Sequence, residues 1–277
     1  LLAAGTEVAY FPAQGSPFDY GVDVTSIARA TEDATNADRV AIGTADGRVA
    51  FFDFELVDGN PQWNDVLGGR AVTNIIHNGT DWLVLGAQGY AQVIASDGTA
   101  VTQPTLIGDG ADLTTARWVE DRWLIATASS FVVNVSGMLI NPVIYDTPLD
   151  GAEVRDAAPG HDIVAIVGDA GAYRILNEQG EAMSEVKTLS GAGDLHAVGY
   201  SGQNFLIGGD DGTAAIIGND GEVIGEPLTL LDGRTIRTIA WSGNFWIVAG
   251  DEGYTQRVRP TGQTVSQAQQ FSAFDTV

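Results

Sequence analysis

The chain has 277 residues and a formal net charge of −23, from 13 Lys and Arg against 36 Asp and Glu. That balance repels phosphate backbones and anionic lipid surfaces, so neither nucleic acid nor a membrane surface is expected as a partner. Absence of Cys excludes disulfides, thiolate metal sites and thiol nucleophiles.

A single Lys, Lys187, stands against 25 Asp and 11 Glu. Such a surface gives solubility in a salty environment, or a face for cations or a basic partner. Absence of Cys suits an oxidising compartment as well as the cytoplasm; with the acidity, it favours a periplasmic or extracellular location. No run of 18 apolar residues occurs, so no membrane insertion is expected. Leu1-Leu2-Ala3-Ala4-Gly5 lacks the basic start and long apolar run of an export signal.

In chain order, Leu1 to Ala4 reads as a short strand, Thr6 to Phe11 as another, and Phe18 to Tyr20 as the end of a third. From Val24 a repeat takes over. Its leading strand begins again near Val72, Leu113, Val154, Leu195 and Ile236, a regular spacing of about 41 residues. The first step alone is longer, because it holds a polar insertion, Thr31 to Asp38. A second apolar strand follows, such as Phe205 to Gly209. A Gly-Asp-x-Gly turn then leads to a third strand, Gly212 to Ile217, and a further turn to a fourth, Val223 to Leu230. Asp97-Gly98, Asp220-Gly221 and Thr261-Gly262 lie between third and fourth strands, where Asx-Gly supplies the positive φ of two-residue hairpins. No sustained 3.6-residue apolar period appears, so almost no helix is expected.

Four short antiparallel strands repeated at about 40 residues mark β-propeller blades. The fold class predicted is all-β: one seven-bladed propeller over 1–277, with blades near 1–22, 23–69, 70–111, 112–151, 152–192, 193–233 and 234–277. Second, third and fourth strands occur seven times but first strands only six. The first blade thus lacks its inner strand, and closure without a shared blade is expected. In layout the repeat resembles the WD-repeat and Asp-box propellers. The Trp-Asp dipeptide of the former and the Ser-x-Asp-x-Gly-x-Thr-Trp box of the latter are both missing, so no family active site carries over.

Alternating hairpins place second-to-third turns and inter-blade linkers on one face. Twelve carboxylates fall there, from Asp46 through Asp109 to Glu252. Within them Asp210, Asp211 and Asp251 form a weak candidate for Ca²⁺, which takes six to eight oxygen ligands. No loop has the Asp-x-Asp-x-Asp spacing of a dedicated calcium site, and turn-forming Asp is the simpler reading, so no cofactor is assigned.

The second residues of the leading strands are Thr25, Thr73, Thr114, Arg155, His196 and Arg237. Arg155, His196 and Arg237 form a candidate anion site; pairing with Asp156 or Asp194 is the alternative. The last residues are Arg29, His77, Trp118, Pro159, Tyr200 and Trp241. Of these Trp118, Tyr200 and Trp241 are candidates for a channel-mouth aromatic site for a sugar or peptide, or for plugs between blades. The three His sit at different repeat positions, and no catalytic residue is assigned. The sequons at Asn78 and Asn134 are short enough to be accidental. The function expected is a non-catalytic binding or scaffolding module, monomeric, with a protein or small-molecule partner that could be cationic. The competing reading is a hydrolase or lyase acting on a sugar or lactone at the channel mouth.

Overall fold

The computed structural model describes residues 2–4, 7–9, 18–19, 21–30, 39–53, 62–107, 110–119, 121–127, 131–139, 142–146 and 148–270. They form seven antiparallel sheets in chain order, the first of three strands and the others of four. The first sheet holds Leu2–Ala4, Glu7–Ala9 and Phe18–Asp19. The insertion at 31–38 and Asp109 lie outside the described residues. The chain divides into two compact units, residues 1–129 with 135–143 and residues 130–134 with 144–277.

In the second unit, sheet five runs Val154–Pro159, Ile163–Gly168, Ala172–Asn177 and Lys187–Thr188. Sheet six runs Leu195–Tyr200, Phe205–Gly209, Thr213–Ile217 and Val223–Thr229. Sheet seven runs Ile236–Trp241, Trp246–Gly250, Tyr254–Val258 and Gln269–Gln270. The second strand of sheet five, Ile-Val-Ala-Ile-Val-Gly, is buried along its length. A continuously apolar β-branched run suits a strand covered on both faces. Ala165, Val167 and Ile175 of sheet five share a core with Leu195, Val198 and Phe205 of sheet six. Leu206, Ala214 and Ile216 of sheet six share another with Ile236, Ile239 and Trp246 of sheet seven. In the first unit, Ala41 and Val49 of sheet two pack with Val72, Ile75 and Trp82 of sheet three.

Two local features correct the sequence reading. The turns at Gly98, Gly221 and Gly262 place only the glycine at positive φ (89°, 77° and 85°). Gly98 N–H donates to Ala95 O at 2.9 Å and Ala95 N–H to Thr99 O at 2.8 Å, which makes a three-residue loop instead of a two-residue one. The second-to-third turns of sheets three, five, six and seven, by contrast, hold two residues in succession in the left-handed region. In Gly168-Asp169-Ala170-Gly171 these are Ala170 (φ 53°) and Gly171 (φ 74°).

A second period overlies the first. The third residue of the third strand is Gln92, Arg174 and Gln256 in sheets three, five and seven, but Val133 and Ala215 in sheets four and six. Gln256 accepts from the buried Leu231 N–H at 2.8 Å and donates to Ser266 O at 3.1 Å. Gln92 repeats this with Leu67 N–H at 2.9 Å and Thr102 O at 3.0 Å. Arg174 donates to Ser184 O at 2.7 Å and Pro148 O at 3.1 Å. Leu67 and Leu231 are fully buried with φ of 55° and 53°, so the glutamine satisfies the amide of a strained leucine.

Candidate functional site

Every leading strand of sheets two to seven breaks register between its first and third residues. The residue skipped is Thr25, Thr73, Thr114, Arg155, His196 or Arg237. A bulge re-aims its side chain: in sheets five to seven it points the cation at the neighbouring turn, whereas Thr73 Oγ1 donates to Leu113 O and Thr114 Oγ1 to Ala126 O.

Arg155 Nε donates to Asp169 Oδ1, and its Nη2 donates to Asp194 Oδ2 at 2.9 Å. His196 Nε2 meets Asp210 Oδ1 at 2.8 Å. Arg237 holds Asp251 at two points, Nε to Oδ1 at 2.7 Å and Nη2 to Oδ2 at 3.1 Å. In all three sheets the acid stands 14 residues after the cation. Where the bulge carries Thr, as at Thr73 and Thr114, the equivalent later position is Ala87 or Ala128. Cation and acid therefore change together from repeat to repeat. The three cations that the sequence set out as an anion site each face an Asp of the protein itself.

These carboxylates also tie turns together. Asp210 Oδ2 accepts from Asp194 N–H at 3.0 Å, and Asp194 Oδ1 from Ala170 N–H at 3.0 Å. Asp112 does the same for Gln88 N–H at 2.7 Å. Asp156 accepts from Ala157 N–H at 2.8 Å and Val198 N–H at 3.0 Å, which joins sheets five and six. The His196 side chain, then backbone N–H and the charge of Arg237, hold the Asp210 carboxyl below the usual range. Arg237 does so for Asp251.

For calcium, Asp210 and Asp251 turn oxygens to His196, a backbone amide and Arg237. Asp211 occupies the exposed left-handed position of its turn, φ 53°. Among the described residues no three His, Asp or Glu side chains gather as metal ligands.

Each aromatic candidate ends a leading strand and meets an aromatic ring of the second strand. Trp118 stands 4.6 Å from Trp123, Tyr200 4.6 Å from Phe205 and Trp241 5.5 Å from Trp246. His77 and Trp82 make the same contact at 4.5 Å, a member of the set that its side-chain type disguised. Trp118, Tyr200 and Trp241 are half-buried and their partners fully buried. The pairs are directly opposed on the hairpin, where aromatic cross-strand contacts stabilise a sheet.

A cleft of about 600 Å³ opens in sheet seven, between Asp232 and Gln256 on one side and residues 264–268 on the other. Sequence reasoning missed it, because its walls come from a linker and from the approach to a fourth strand.

The fold has clear relatives among solved structures. The chain superposes on the crystal structure of BamB from Moraxella catarrhalis at a TM-score of 0.67 and 15% identity, covering 91% of this chain and 76% of that one. It superposes on a chain of the mitotic checkpoint complex at 0.73 and 15% identity, covering 95% and 83%. The computationally designed Ika8 protein gives 0.63 and 16% identity, covering 88% and 73%. The fold is that of a β-propeller. No family model and no curated protein matches the sequence.

Proposed function

We propose that this chain is a non-catalytic, monomeric propeller of seven blades that holds a basic protein partner along the acidic edge of sheets five to seven. One observation carries the reading. Arg155, His196 and Arg237 are each engaged by an Asp, yet those Asp side chains keep 36 to 42% of their surface open. Glu252, beside them, is 64% exposed. The edge therefore presents acceptor oxygens already fixed in place by internal ion pairs, and rigid acceptors bind cations at lower entropic cost. A net charge of −23 adds long-range attraction for a basic partner.

The seven-blade count is supported by seven occurrences of the second-to-fourth strands and by the seven sheets in the described residues. The structural neighbours support the scaffolding role, since one of them is a member of a named multiprotein complex. The acidity of the chain, suited to a salty environment, supports an exported location.

The test is calorimetric titration with an arginine-rich peptide at low and high salt. Removing charge at Asp169, Asp211 and Glu252 (to Asn, Asn and Gln) should weaken binding at least tenfold. Removing the same charge at Glu185, Asp220 and Glu226, away from that edge, should change it less than twofold. Equal losses in both variants would mean general attraction to an acidic protein and sink the reading.

A further inference from the structure

In sheet three a tight turn joins the leading strand, Val72–His77, to the second strand, Asp81–Gly86. Asn78 N–H donates to Asp81 O at 3.0 Å and closes it. The Asn78 side chain fills the turn from within: Oδ1 accepts from Thr80 N–H at 2.9 Å and from Asp81 N–H at 2.7 Å. From outside, Ser96 Oγ donates to Thr80 O at 2.6 Å. Gly79 sits at φ 101°, and its N–H donates to His77 Nδ1 at 3.1 Å.

The equivalent turns of sheets six and seven keep the cap and change its chemistry. There the capping oxygen is a serine hydroxyl, which Asn204 N–H reaches at 3.1 Å on Ser201 and Phe245 N–H at 3.4 Å on Ser242. Gly202 and Gly243 follow, and the preceding rings are Tyr200 and Trp241, which offer no nitrogen base. A cap therefore needs only an oxygen. Sheet three alone combines an amide carbonyl, a following glycine and an imidazole, and Asn78-Gly79 is the only Asn-Gly pair in the sequence.

These three groups stand in the roles of an acyl-transfer site. A glycine has no side chain to keep its nitrogen from the neighbouring carbonyl. The imidazole already holds the proton that this nitrogen must lose, and two backbone N–H groups already hold the oxygen on which charge would develop. Asn78 and Gly79 are half-buried and Thr80 is exposed, so water reaches the turn.

We propose that Asn78-Gly79 is a self-modification site, where the folded turn converts its own asparagine to aspartate and isoaspartate with His77 as general base. Gly79 N attacks Asn78 Cγ and gives its proton to His77 Nδ1. The Cγ–Nδ2 bond then breaks, and Nδ2 takes that proton and leaves as ammonia. Water opens the resulting cyclic imide at Cγ, giving aspartate, or at the backbone carbonyl, giving isoaspartate with one more methylene in the turn. The net change is one water consumed and one ammonia released, once per chain. The site uses none of the carboxylates of the acidic edge.

The experiment holds the purified full chain at neutral pH and follows residue 78 by peptide mapping, with fragmentation that separates aspartate from isoaspartate. Conversion should be at least tenfold faster in the folded chain than in the same chain unfolded in urea. His77→Phe should slow the folded chain at least tenfold and change the unfolded rate less than twofold. Asn78→Ser, which copies sheets six and seven, should abolish the amide-to-acid mass change of the intact folded chain. Three results would overturn the proposal: a folded rate no faster than the unfolded one, a folded His77→Phe as fast as the parent, or a mass change that survives Asn78→Ser. The first comparison needs no variant, so it stands whether or not His77→Phe folds.

Discussion

Arg237 and Asp251 close a two-point ion pair across 14 residues of one sheet, from the bulge of its leading strand to the first residue of its second turn. Arg155 and Asp169 occupy the same positions two repeats earlier, but Arg155 reaches on to Asp194 of the next sheet. The two arginines are equivalent in sequence and differ in what their removal exposes.

Arg237→Met should therefore change stability by less than about 1 kcal/mol, since both partners are largely solvated. Arg155→Met should cost more, about 1–2 kcal/mol, because it leaves two carboxylates, Asp169 and Asp194, without their shared cation. Urea unfolding of both variants measures the difference. An equal cost would mean that Arg155 does not tie sheet five to sheet six.

Acid should unfold the protein partly through these carboxyls. Asp210 and Asp251 are held below their ordinary value in the fold, by His196 and Arg237 first of all. A carboxyl with a depressed folded pKa contributes stability that is fully present above its unfolded value, about 3.9, and is lost as pH falls through the lower folded value. The urea midpoint should thus fall below about pH 4, and less steeply in Asp251→Asn. A variant as steep as the parent would remove Asp251 from the account.

His77 acts at a higher pH. Burial pushes its imidazole below the ordinary value, and Nδ1 accepts from Gly79 N–H at 3.1 Å, a bond that protonation of Nδ1 would break. A base with a depressed folded pKa gives stability present above its unfolded value, about 6.5, and lost as pH falls below it. Acidification from pH 7.5 to 5.5 should lower the urea midpoint of the parent, and His77→Phe should flatten that change. Trp82, 4.5 Å away, reports it by fluorescence.

Gln256→Leu should destabilise by about 1–3 kcal/mol, because Leu231 N–H is then buried without an acceptor. Gln92→Leu should cost a similar amount through Leu67. Both residues lie deep in their units, so chemical denaturation registers the loss directly. A cost too small to resolve in either variant would mean that water replaces the amide.

The repeat was legible because its signals are local. Apolar second strands, turn glycines and the regular spacing of the copies need no knowledge of neighbours. Arg155, His196 and Arg237 were legible as an equivalent set for the same reason. Pairing with an Asp was legible as the alternative, and Asp194 was among the partners named for it, but the partners Asp169, Asp210 and Asp251 were not. Pairing with Asp169, Asp210 and Asp251 depends on a bulge, which no residue type in Val-Arg-Asp or Leu-His-Ala announces. The constant offset from cation to acid and the matching Thr–Ala pairs were nonetheless visible in the sequence, as covariation between repeats. The role of Gln92 and Gln256 was hidden more deeply, since a glutamine on a strand says nothing of a left-handed leucine 25 residues earlier.

That polar position recurs at every second repeat rather than at each one, and Arg70 stacked on Tyr90 at 3.7 Å returns as Arg234 on Tyr254 at 3.6 Å, four repeats later. The unit of exchange in this molecule is therefore a pair of sheets. A deletion of one repeat would bring a polar-bridged sheet next to another of its own kind and, where the cut falls between Leu67 and Gln92 or between Leu231 and Gln256, leave a linker amide facing the wrong side chain. A deletion of two would restore the alternation. Lengthening or shortening of such a chain, by recombination or by design, should succeed in even steps and fail in odd ones.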